Sequence, residues 1–465
     1  MSEEAKELQK KLFNKKENGV DFMSEEELKA CDEFCEGYKK FLFEKTEREF
    51  AKSALALAKE HGFVEFDKFG KPLKAGDKVY YFNRGKAIIL AVKGKRPVCD
   101  GVRISAAHID SPRLDLKQCP VYEDGSLGFL KTHYYGGIKK YQWTAIPLSL
   151  HGRICKNDGT YIDVKVGEDP ADPKFCITDI LPHLGAEQMS RKANEIVKGE
   201  ELNVVIGSRP FKDDDVSEKI KLNLLNILFE KYGIVERDFL SAELELVPAF
   251  TVDDIGFDRS LIGGYGHDDR VCSYPALQAI LDVDDAPEYT ALTVLTDKEE
   301  TGSDGNTGLN SSYLKYFIED LARLEGCEGR DVLSNSKCLS ADVNAAFDPT
   351  WSTPFEKNNS SFINQGVCVT KFTGARGKGG TSDASAEYVS FVKNLLESND
   401  VLWQSGELGK VDAGGGGTVA MYIANLDVDV IDVGVPVLSM HSPYEIVSKI
   451  DTYMAYKAFK VFFTK

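Results

Sequence analysis

Short apolar runs that end in polar residues recur along this chain. Residues 102–107 run into His108, and residues 291–295 lead to Glu299 and Glu300. Uninterrupted apolar runs of this length are typical of strands that are buried on both faces of a parallel sheet. Open α/β sheets bind their ligands beyond the carboxyl ends of such strands. We therefore expect these polar residues to lie near a functional site.

The same pattern divides the chain into an α/β part and an insertion. A capping box at residues 24–27 begins a predicted amphipathic helix that continues to about Glu60, and residues 79–92 form a predicted hairpin. From residue 113 short strand-like runs alternate with charged turns, and from Ala242 onward strands and helices alternate again. We predict an α/β fold with a mixed, mostly parallel sheet covered by helices, formed by residues 1–112 and 241–465. A β-rich domain is inserted over residues 113–240.

Charge and composition narrow the function classes. The chain has 465 residues, 42% of them hydrophobic, and a formal net charge of −17, which argues against nucleic acid and an anionic membrane surface as partners. No apolar run is long enough to span a bilayer, and the polar, acidic N-terminus does not resemble a secretory signal. Ten cysteines without CxxC spacing are typical of reduced thiols. We therefore expect a cytoplasmic protein.

Five residues of metal-binding type follow apolar runs or precede a helical segment. They are His108, Asp268, Glu300, Asp342 and His441. Histidine and carboxylate ligands suit two divalent ions, which share a bridging carboxylate and lie roughly 3.5–4 Å apart. Each residue alone has an ordinary alternative, because Asp268 and its neighbour Asp269 can form a turn and a helix N-cap, and His441 can be a hydrogen-bonded core histidine. Their joint occurrence in one chain favours a metal site.

Two pairs of residues allow a division of roles. Of the adjacent carboxylates Glu299 and Glu300, one can bind a metal while the other transfers protons. Residues two apart on a strand face the same side, so Asp110 can accept the ring N–H of His108 and fix its tautomer. Alternatively, the glutamate pair is a solvated loop and the H-x-D sequence is a polar strand end.

Seven stretches of the chain resemble a known family of peptidases. They are residues 107–112, 135–137, 181–184, 194–200, 297–303, 340–342 and 440–442. Together they resemble the co-catalytic two-metal aminopeptidases and, more narrowly, the aspartyl-aminopeptidase family (metallopeptidase family 18) in its bacterial branch. The stretches span most of the chain. The resemblance implies the two-metal aminopeptidase fold.

The resemblance also implies the ligands of each ion. His108 and Asp342 would hold one ion, and Glu300 and His441 would hold the other. Asp268 would bridge the two ions, because residues 276–279 set the register with the family pattern in its favour. Zinc is the expected metal, and cobalt or manganese can replace it, since carboxylate-rich sites select metals weakly.

Three further roles follow from the resemblance. Glu299 would be the general base, and Asp110 would orient His108. His183, in the inserted domain, would reach into the site of a neighbouring subunit and help to bind the developing oxyanion. The inserted domain would thus serve dimerisation and substrate gating, and the chain would form a homo-oligomer, a dodecamer built from dimers.

Two segments depart from the eukaryotic members of the family. Residues 343–346 lack the substrate-binding histidine that would follow the metal-binding aspartate, and residues 374–383 also differ. Both segments would shape the pocket for the substrate side chain, so the departure argues against a strict preference for acidic N-terminal residues. Arg376 or Lys378 can pair with a substrate carboxylate, or either can be a solvated loop charge.

The predicted function is that of a metal-dependent aminopeptidase. It would remove the N-terminal residue of peptides with a water activated by two divalent ions. Two alternatives remain from the residues alone: a related two-metal deacylase or carboxypeptidase, and a catalytically silent assembly protein of the same fold. A silent protein is expected to lose its base or a ligand, whereas Glu299 and all five ligand candidates are present here.

Overall fold

A computed structural model of the chain describes residues 3–14, 17–213 and 215–465. The first two residues of the polar N-terminus therefore lie outside the described part. The helices of the described residues are α1 (Glu3–Leu12), α2 (Gly19–Phe22), α3 (Glu25–Leu42), α4 (Glu47–Glu60), α5 (Ala186–Met189), α6 (Lys219–Tyr232), α7 (His267–Leu281), α8 (Tyr313–Glu325), α9 (Gly329–Ser334), α10 (Ala386–Glu397), α11 (Ala420–Ala424) and α12 (Lys449–Thr464). Among them, none combines the length and apolar character needed to cross a membrane.

The strands of the described residues form three sheets. They are β1 (Val64–Glu65), β2 (Lys78–Asn83), β3 (Ala87–Val92), β4 (Val102–His108), β5 (Arg113–Asp124), β6 (Leu127–Tyr135), β7 (Leu148–Cys155), β8 (Tyr161–Val166), β9 (Cys176–Ile177), β10 (Asn203–Gly207), β11 (Ala242–Pro248), β12 (Asp253–Ile255), β13 (Leu261–Gly264), β14 (Thr290–Thr296), β15 (Lys337–Ser340), β16 (Asn344–Ala345), β17 (Val367–Thr370), β18 (Trp403–Ser405), β19 (Asp429–Gly434), β20 (Pro436–Leu438) and β21 (Glu445–Ser448).

The largest sheet confirms the predicted α/β architecture. In the described residues its strand order is β1-β2-β3-β14-β4-β15-β19-β17-β18. Strand β4 is central and pairs in parallel with both β14 and β15. The register places Thr296 beside His108 and Ser340 beside Ala106. The carboxyl ends of these three strands therefore meet at one edge, and the polar residues that follow them converge.

Helices cover both faces of this sheet, which explains why its strands read as continuous apolar runs. Ile104 and Ala106 of β4 belong to the core beneath α8 and α9, whereas Ala107 faces the core formed with α3, α7 and α12. Strand β14 alternates in the same way, with Leu292 and Leu295 in the two different cores.

The β-rich segment forms a separate antiparallel sheet with the order β8-β7-β11-β5-β6-β10-β9. Its core surrounds the fully buried Trp143. Strand β11 belongs to this sheet, because it pairs with β7 over Ala242–Pro248 and with β5. The predicted domain boundary instead places Ala242 at the start of the second part of the α/β domain. An apolar strand pattern does not show which sheet the strand joins, so this difference became visible only in the strand pairing.

The predicted helix from the first capping box to Glu60 is wrong, because the chain breaks into α3 and α4. Ser24 begins α3 as predicted, but Thr46 forms a second capping box with Glu49 and begins α4. Between the two helices, the buried Lys45 ammonium donates hydrogen bonds to the carbonyls of Pro248 (2.7 Å) and Phe250 (3.1 Å) at the end of β11. The break therefore ties the N-terminal helices to the second sheet.

A small third sheet, which is not part of the predicted architecture, has the order β12-β13-β21-β20-β16. The apolar run 433–440 divides between β19 in the large sheet and β20 in this one. Strand β13 leads into α7, and the loop from β20 to β21 carries His441. The third sheet therefore brings the start of α7 and this loop towards the edge where β4, β14 and β15 end.

Candidate active site

Three parallel strands and two loops deliver the predicted ligands to one place. His108 ends β4, Glu300 lies in the turn after β14, and Asp342 follows β15. Asp268 lies at the start of α7, and His441 lies between β20 and β21. Each sequence-predicted ligand thus lies near the carboxyl edge of the sheet or on a loop that packs over it.

The Asp268 carboxylate lies between the two histidines. Its Oδ1 is 3.1 Å from Nε2 of His108, and its Oδ2 is 3.1 Å from Nε2 of His441. Glu300 approaches the second histidine, with Oε1 3.7 Å from Nε2 of His441. Ligand atoms of His108, Asp268 and Glu300 lie within 4.8 Å of one another. The arrangement has one shared carboxylate with a histidine on each side.

Several buried oxygens of the site suit cations. Oε1 of Glu300, Oδ2 of Asp342 and Oδ1 of Asp269 are buried, and none has a hydrogen-bond partner in the part of the chain that the structure describes. An unpaired buried carboxylate is costly unless a positive charge compensates it. The predicted ligand set contains two imidazoles and three carboxylates, so most of its donor atoms are oxygens. Such a set fits two divalent ions of the zinc, manganese or cobalt type.

The pKa values show how strongly the site attracts positive charge. Burial raises the pKa values of Glu300 and Asp342 well above the usual range of a carboxyl group. Burial lowers the pKa of His441, but the hydrogen bond with Asp268 and the charge of Glu300 outweigh it and raise that pKa to about 11. Conversely, both histidines hold the pKa of Asp268 below its usual value in spite of burial. Without ions, protons on the histidines supply the positive charge, so metal binding must release protons.

Glu299 differs from Glu300 in its surroundings. Its side chain is 18% exposed, and its Oε2 lies 3.8 Å from Nε2 of His108. Burial and the negative charges of the nearby Asp110 and Asp268 raise its pKa to about 7, although His108 acts to lower it. A carboxylate with a pKa near neutrality that faces a cavity is suited to accept and return a proton.

Asp110 is fully buried and organises the turn after β14. Its carboxylate accepts hydrogen bonds from the amides of Glu299 (3.1 Å) and Glu300 (3.2 Å), and from the Tyr135 hydroxyl (2.7 Å). Nδ1 of His108 lies 3.0 Å from the Asp110 carbonyl and 3.4 Å from its carboxylate. Asp110 therefore holds the histidine mainly through its backbone, and holds the glutamate pair through its side chain.

Glu445 is a structural support that sequence reasoning missed. Its carboxylate accepts the amide N–H of His441 (2.7 Å) and of Asp268 (3.1 Å), so it joins the two loops that deliver these ligands. It is buried at the start of β21, directly before the apolar residues 446 and 447. A single glutamate at the start of an apolar strand, four residues after a candidate ligand, is the signal that could have identified it.

The site opens into a cavity of about 1020 Å³. Its lining includes the carboxylates Asp268, Glu299, Glu300 and Asp342. It also includes apolar side chains, which are Val343, Phe355, Leu408, Met421, Leu438 and Met440. Residues 415–417 of the glycine run also line the cavity. The cavity is therefore large enough for a peptide end and offers apolar surface for its side chain.

Five predicted residues do not line this cavity. His108 and Asp110 are buried in contact with residues that do line it, whereas the other three lie elsewhere. Arg376 and Lys378 lie on an exposed turn, where Nζ of Lys378 is 2.8 Å from Asp383 and 3.8 Å from the centroid of the Phe372 ring. His183 lies on an exposed loop of the inserted domain between β9 and α5. The structure does not bring these three side chains to the cavity of their own chain.

The fold and the site define a class of metal-dependent hydrolase whose candidate metal site lies at the carboxyl edge of an α/β sheet. Within this class, residues 42–463 match the family profile described as aminopeptidase I zinc metalloprotease (M18). The chain belongs to this family. The predictions of metallopeptidase family 18 and of a metal-dependent aminopeptidase are therefore confirmed.

Individual relatives agree with this assignment. The chain is 46% identical over 459 residues to the "Probable M18 family aminopeptidase 1" of Clostridium acetobutylicum, covering 97% of this chain and 98% of that protein. The crystal structure of an M18 family aminopeptidase from Thermotoga maritima superposes with a TM-score of 0.93 at 42% identity, covering 97% of this chain and all of the other. A structure of the mApe1 dodecamer of S. cerevisiae shares the fold at 20% identity, with a TM-score of 0.75 and coverage of 94% of this chain and 97% of that one.

Proposed function

We propose that this aminopeptidase binds two divalent ions, one held by His108 and Asp342 and the other by Glu300 and His441, with Asp268 as the bridge. The observation that carries the proposal is the position of Asp268, whose two oxygens each lie 3.1 Å from a different histidine. The buried, unpaired oxygens of Glu300 and Asp342 support the same ligand set. Zinc is the metal that the family description names, and cobalt or manganese can replace it in such a donor set.

The residues around the ions divide the hydrolytic work. Two bound ions would lower the pKa of a water molecule and polarise the scissile carbonyl. Glu299 accepts the proton from the attacking water and passes it to the leaving amine. Its carboxylate is free for this role, since it accepts no hydrogen bond from the described residues, while its amide is fixed by Asp110. Asp110 keeps His108 and the glutamate pair in place.

The residues that line the cavity suggest which peptides are cleaved. A free α-amine, which is cationic in solution, suits the lining carboxylates, so cleavage is limited to the first residue. The apolar lining side chains favour a neutral, hydrophobic side chain at that residue. Lys139 is the only lysine or arginine among the described lining residues, and Asp348 adds negative charge. Arg376 and Lys378 would have to move to meet an acidic side chain, so we propose a preference for leucine or methionine over aspartate.

We further propose that the chain assembles with copies of itself through the inserted domain. More than half of the large, exposed apolar side chains of the described residues lie between residues 113 and 248. Leu181 and Leu184, which flank His183, are 49% and 69% exposed. Such a surface is costly in a monomer and is typical of an interface. His183 would then reach a site of the neighbouring copy and help to stabilise the oxyanion.

A dodecamer is the assembly that we propose, because the related mApe1 of S. cerevisiae is described as one. Closed symmetric shells are a common outcome when one patch pairs identical subunits and another joins the pairs.

A cytoplasmic location is proposed as well, and the ten free cysteines support a reducing compartment. Peptides are the expected substrates in that compartment.

A panel of aminoacyl p-nitroanilides tests the proposed function. The protein is stripped with a chelator and restored with zinc, cobalt or manganese, and leucyl, methionyl and aspartyl substrates are compared with N-acetyl-leucyl p-nitroanilide. We expect no cleavage after stripping, recovery with added ions, faster cleavage of the leucyl than of the aspartyl substrate, and no cleavage of the acetylated control. Turnover that resists the chelator, or equal cleavage of the acetylated substrate, would contradict the proposal. A faster aspartyl reaction would overturn only the preference.

A further inference from the structure

Residues 135–137, where β6 of the inserted domain ends, contact the supports of both candidate metal positions. The Tyr135 hydroxyl donates to Oδ2 of Asp110 at 2.7 Å. The Gly137 carbonyl lies 2.7 Å from Nδ1 of His441. These residues, called the 135–137 segment below, belong to a different sheet from the strands that carry His108 and the glutamates.

The contact of Tyr135 acts through Asp110 on the proposed ion position beside His108. The same Asp110 carboxylate accepts the amides of Glu299 and Glu300, and the Asp110 carbonyl lies 3.0 Å from Nδ1 of His108. A buried carboxylate with three hydrogen-bond donors has a fixed orientation. Loss of the Tyr135 hydroxyl would remove the one side-chain donor among the three and leave the Asp110 carboxylate held by the two amides of the glutamate pair.

The contact of Gly137 acts directly on His441, the histidine of the other proposed ion position. A carbonyl can only accept, so Nδ1 of His441 must carry the proton. The opposite nitrogen, Nε2, is then free to bind an ion, and it is the atom that faces Asp268. A hydrogen bond at one ring nitrogen sets the tautomer and the orientation of a metal-binding histidine.

Gly136 allows the segment to approach Glu300. Its φ of +75° lies in the left-handed region. A Cβ placed on it would lie 2.9 Å from Oε2 of Glu300 and 3.3 Å from its Cβ. A side chain at this position would therefore displace the candidate ligand as well as strain the backbone.

Tyr135 is itself fixed at the junction of the two domains. The guanidinium carbon of Arg113 lies 3.9 Å from the centroid of the Tyr135 ring. The buried Arg113 is paired with Glu47 of α4 (3.3 Å) and Glu245 of β11 (3.2 Å). The ring position therefore depends on how the second sheet sits against the N-terminal helices.

We propose that Tyr135 is a positioning residue, and that the 135–137 segment makes metal affinity depend on the placement of the inserted domain. The inference rests on the ligand roles proposed above. It assigns the inserted domain a part in metal retention within each chain, in addition to any contact between subunits. Removing a hydrogen bond from a group that supports a metal ligand typically weakens metal binding or activity by about 10–100-fold.

Zinc affinity of the full-length Tyr135→Phe variant tests this inference, measured by competition with a chromogenic chelator. Tyr134→Phe is the matched control, because the neighbouring ring points to the opposite side of β6 and is 40% exposed. We expect at least about 10-fold weaker zinc binding for Tyr135→Phe, a lower kcat and a nearly unchanged KM, and wild-type affinity for Tyr134→Phe. Wild-type zinc affinity and kcat in folded Tyr135→Phe would overturn the proposal.

A glycine pair keeps the test decisive if the tyrosine variant does not fold. Gly136→Ala is compared with Gly159→Ala, whose φ is +84° and whose added Cβ would have no neighbour within 4 Å. Both variants carry the same kind of backbone strain, but only Gly136→Ala should lose zinc affinity, and equal affinities would refute the role of the segment. His441→Ala serves as the reference for the proposed function. If it binds zinc as the wild type does, the ligand assignment itself fails, whatever the 135–137 variants do.

Discussion

Replacing Glu299 with glutamine separates proton transfer from metal binding. The side chain is 18% exposed and faces the cavity, and its carboxylate accepts no hydrogen bond from residues 3–14, 17–213 or 215–465. Glutamine has nearly the same volume, and the amide N–H that Asp110 accepts remains. The substitution also removes a carboxyl group whose pKa burial raises to about 7. We therefore expect the free energy of unfolding to change by less than about 1 kcal/mol.

The expected loss of activity is much larger than the change in stability. A positioned general base contributes about 10²–10⁴ to the rate. At 1.36 kcal/mol for each factor of ten, this corresponds to about 2.7–5.4 kcal/mol of transition-state stabilisation. Since glutamine cannot accept the proton of the attacking water, the loss should appear in kcat, with KM little changed.

The assay compares Glu299→Gln with Glu300→Gln, its neighbour in the same turn. For each variant, kcat and KM are measured with leucyl p-nitroanilide at increasing zinc, together with bound zinc and thermal stability. Glu299→Gln should keep the wild-type zinc content and lose kcat at all zinc concentrations. Glu300→Gln should bind zinc more weakly and recover part of its activity at high zinc. Near-normal kcat in Glu299→Gln, or identical behaviour of the two variants, would refute the assignment of the base.

Three further outcomes are expected. Asp268→Asn should lower bound zinc from two ions per chain to one or none in elemental analysis, because an amide oxygen replaces the bridging carboxylate; two retained ions would argue against the bridge. Although burial opposes it, the hydrogen bond with His151 helps to lower the pKa of Glu168 from 4.5 to about 2. The stabilisation is therefore complete above pH 4.5 and is lost as the pH falls towards 2, and it amounts to at most about 3.4 kcal/mol. Denaturant melts should thus show the gap between wild type and Glu168→Gln closing on acidification, and a constant gap would contradict this. Mixing inactive His183→Ala with inactive Glu299→Gln should restore some activity after verified subunit exchange, and no recovery would count against a shared site.

The convergence of the strand ends was the feature of the fold that the sequence predicted best. His108, Glu300 and Asp342 follow apolar runs that are buried on both faces, and parallel strands that pair as neighbours must bring their carboxyl ends together. Asp268 and His441 came from outside these three strands. Their candidacy depended on residue type and on the resemblance to the family, and the third sheet that carries their loops had no clear pattern in the sequence.

What the sequence could not predict are contacts made by the backbone or between distant elements. The Gly137 carbonyl has no side chain to mark it, and the hydroxyl of Tyr135 finds Asp110 only after two sheets are packed. The break between α3 and α4 had a local signal in the capping box of Thr46 and Glu49, but helical periodicity on both sides obscured it. In the same way, the alternation of Ala242–Pro248 identified a strand and not the sheet that it joins.

Anomalous diffraction from crystals soaked in zinc would locate the proposed ions. We predict two peaks per chain on either side of Asp268, one within about 2.0–2.3 Å of a His108 nitrogen and the other at the same distance from a His441 nitrogen. A single peak, or two peaks that leave either histidine without an ion, would contradict the two-ion site.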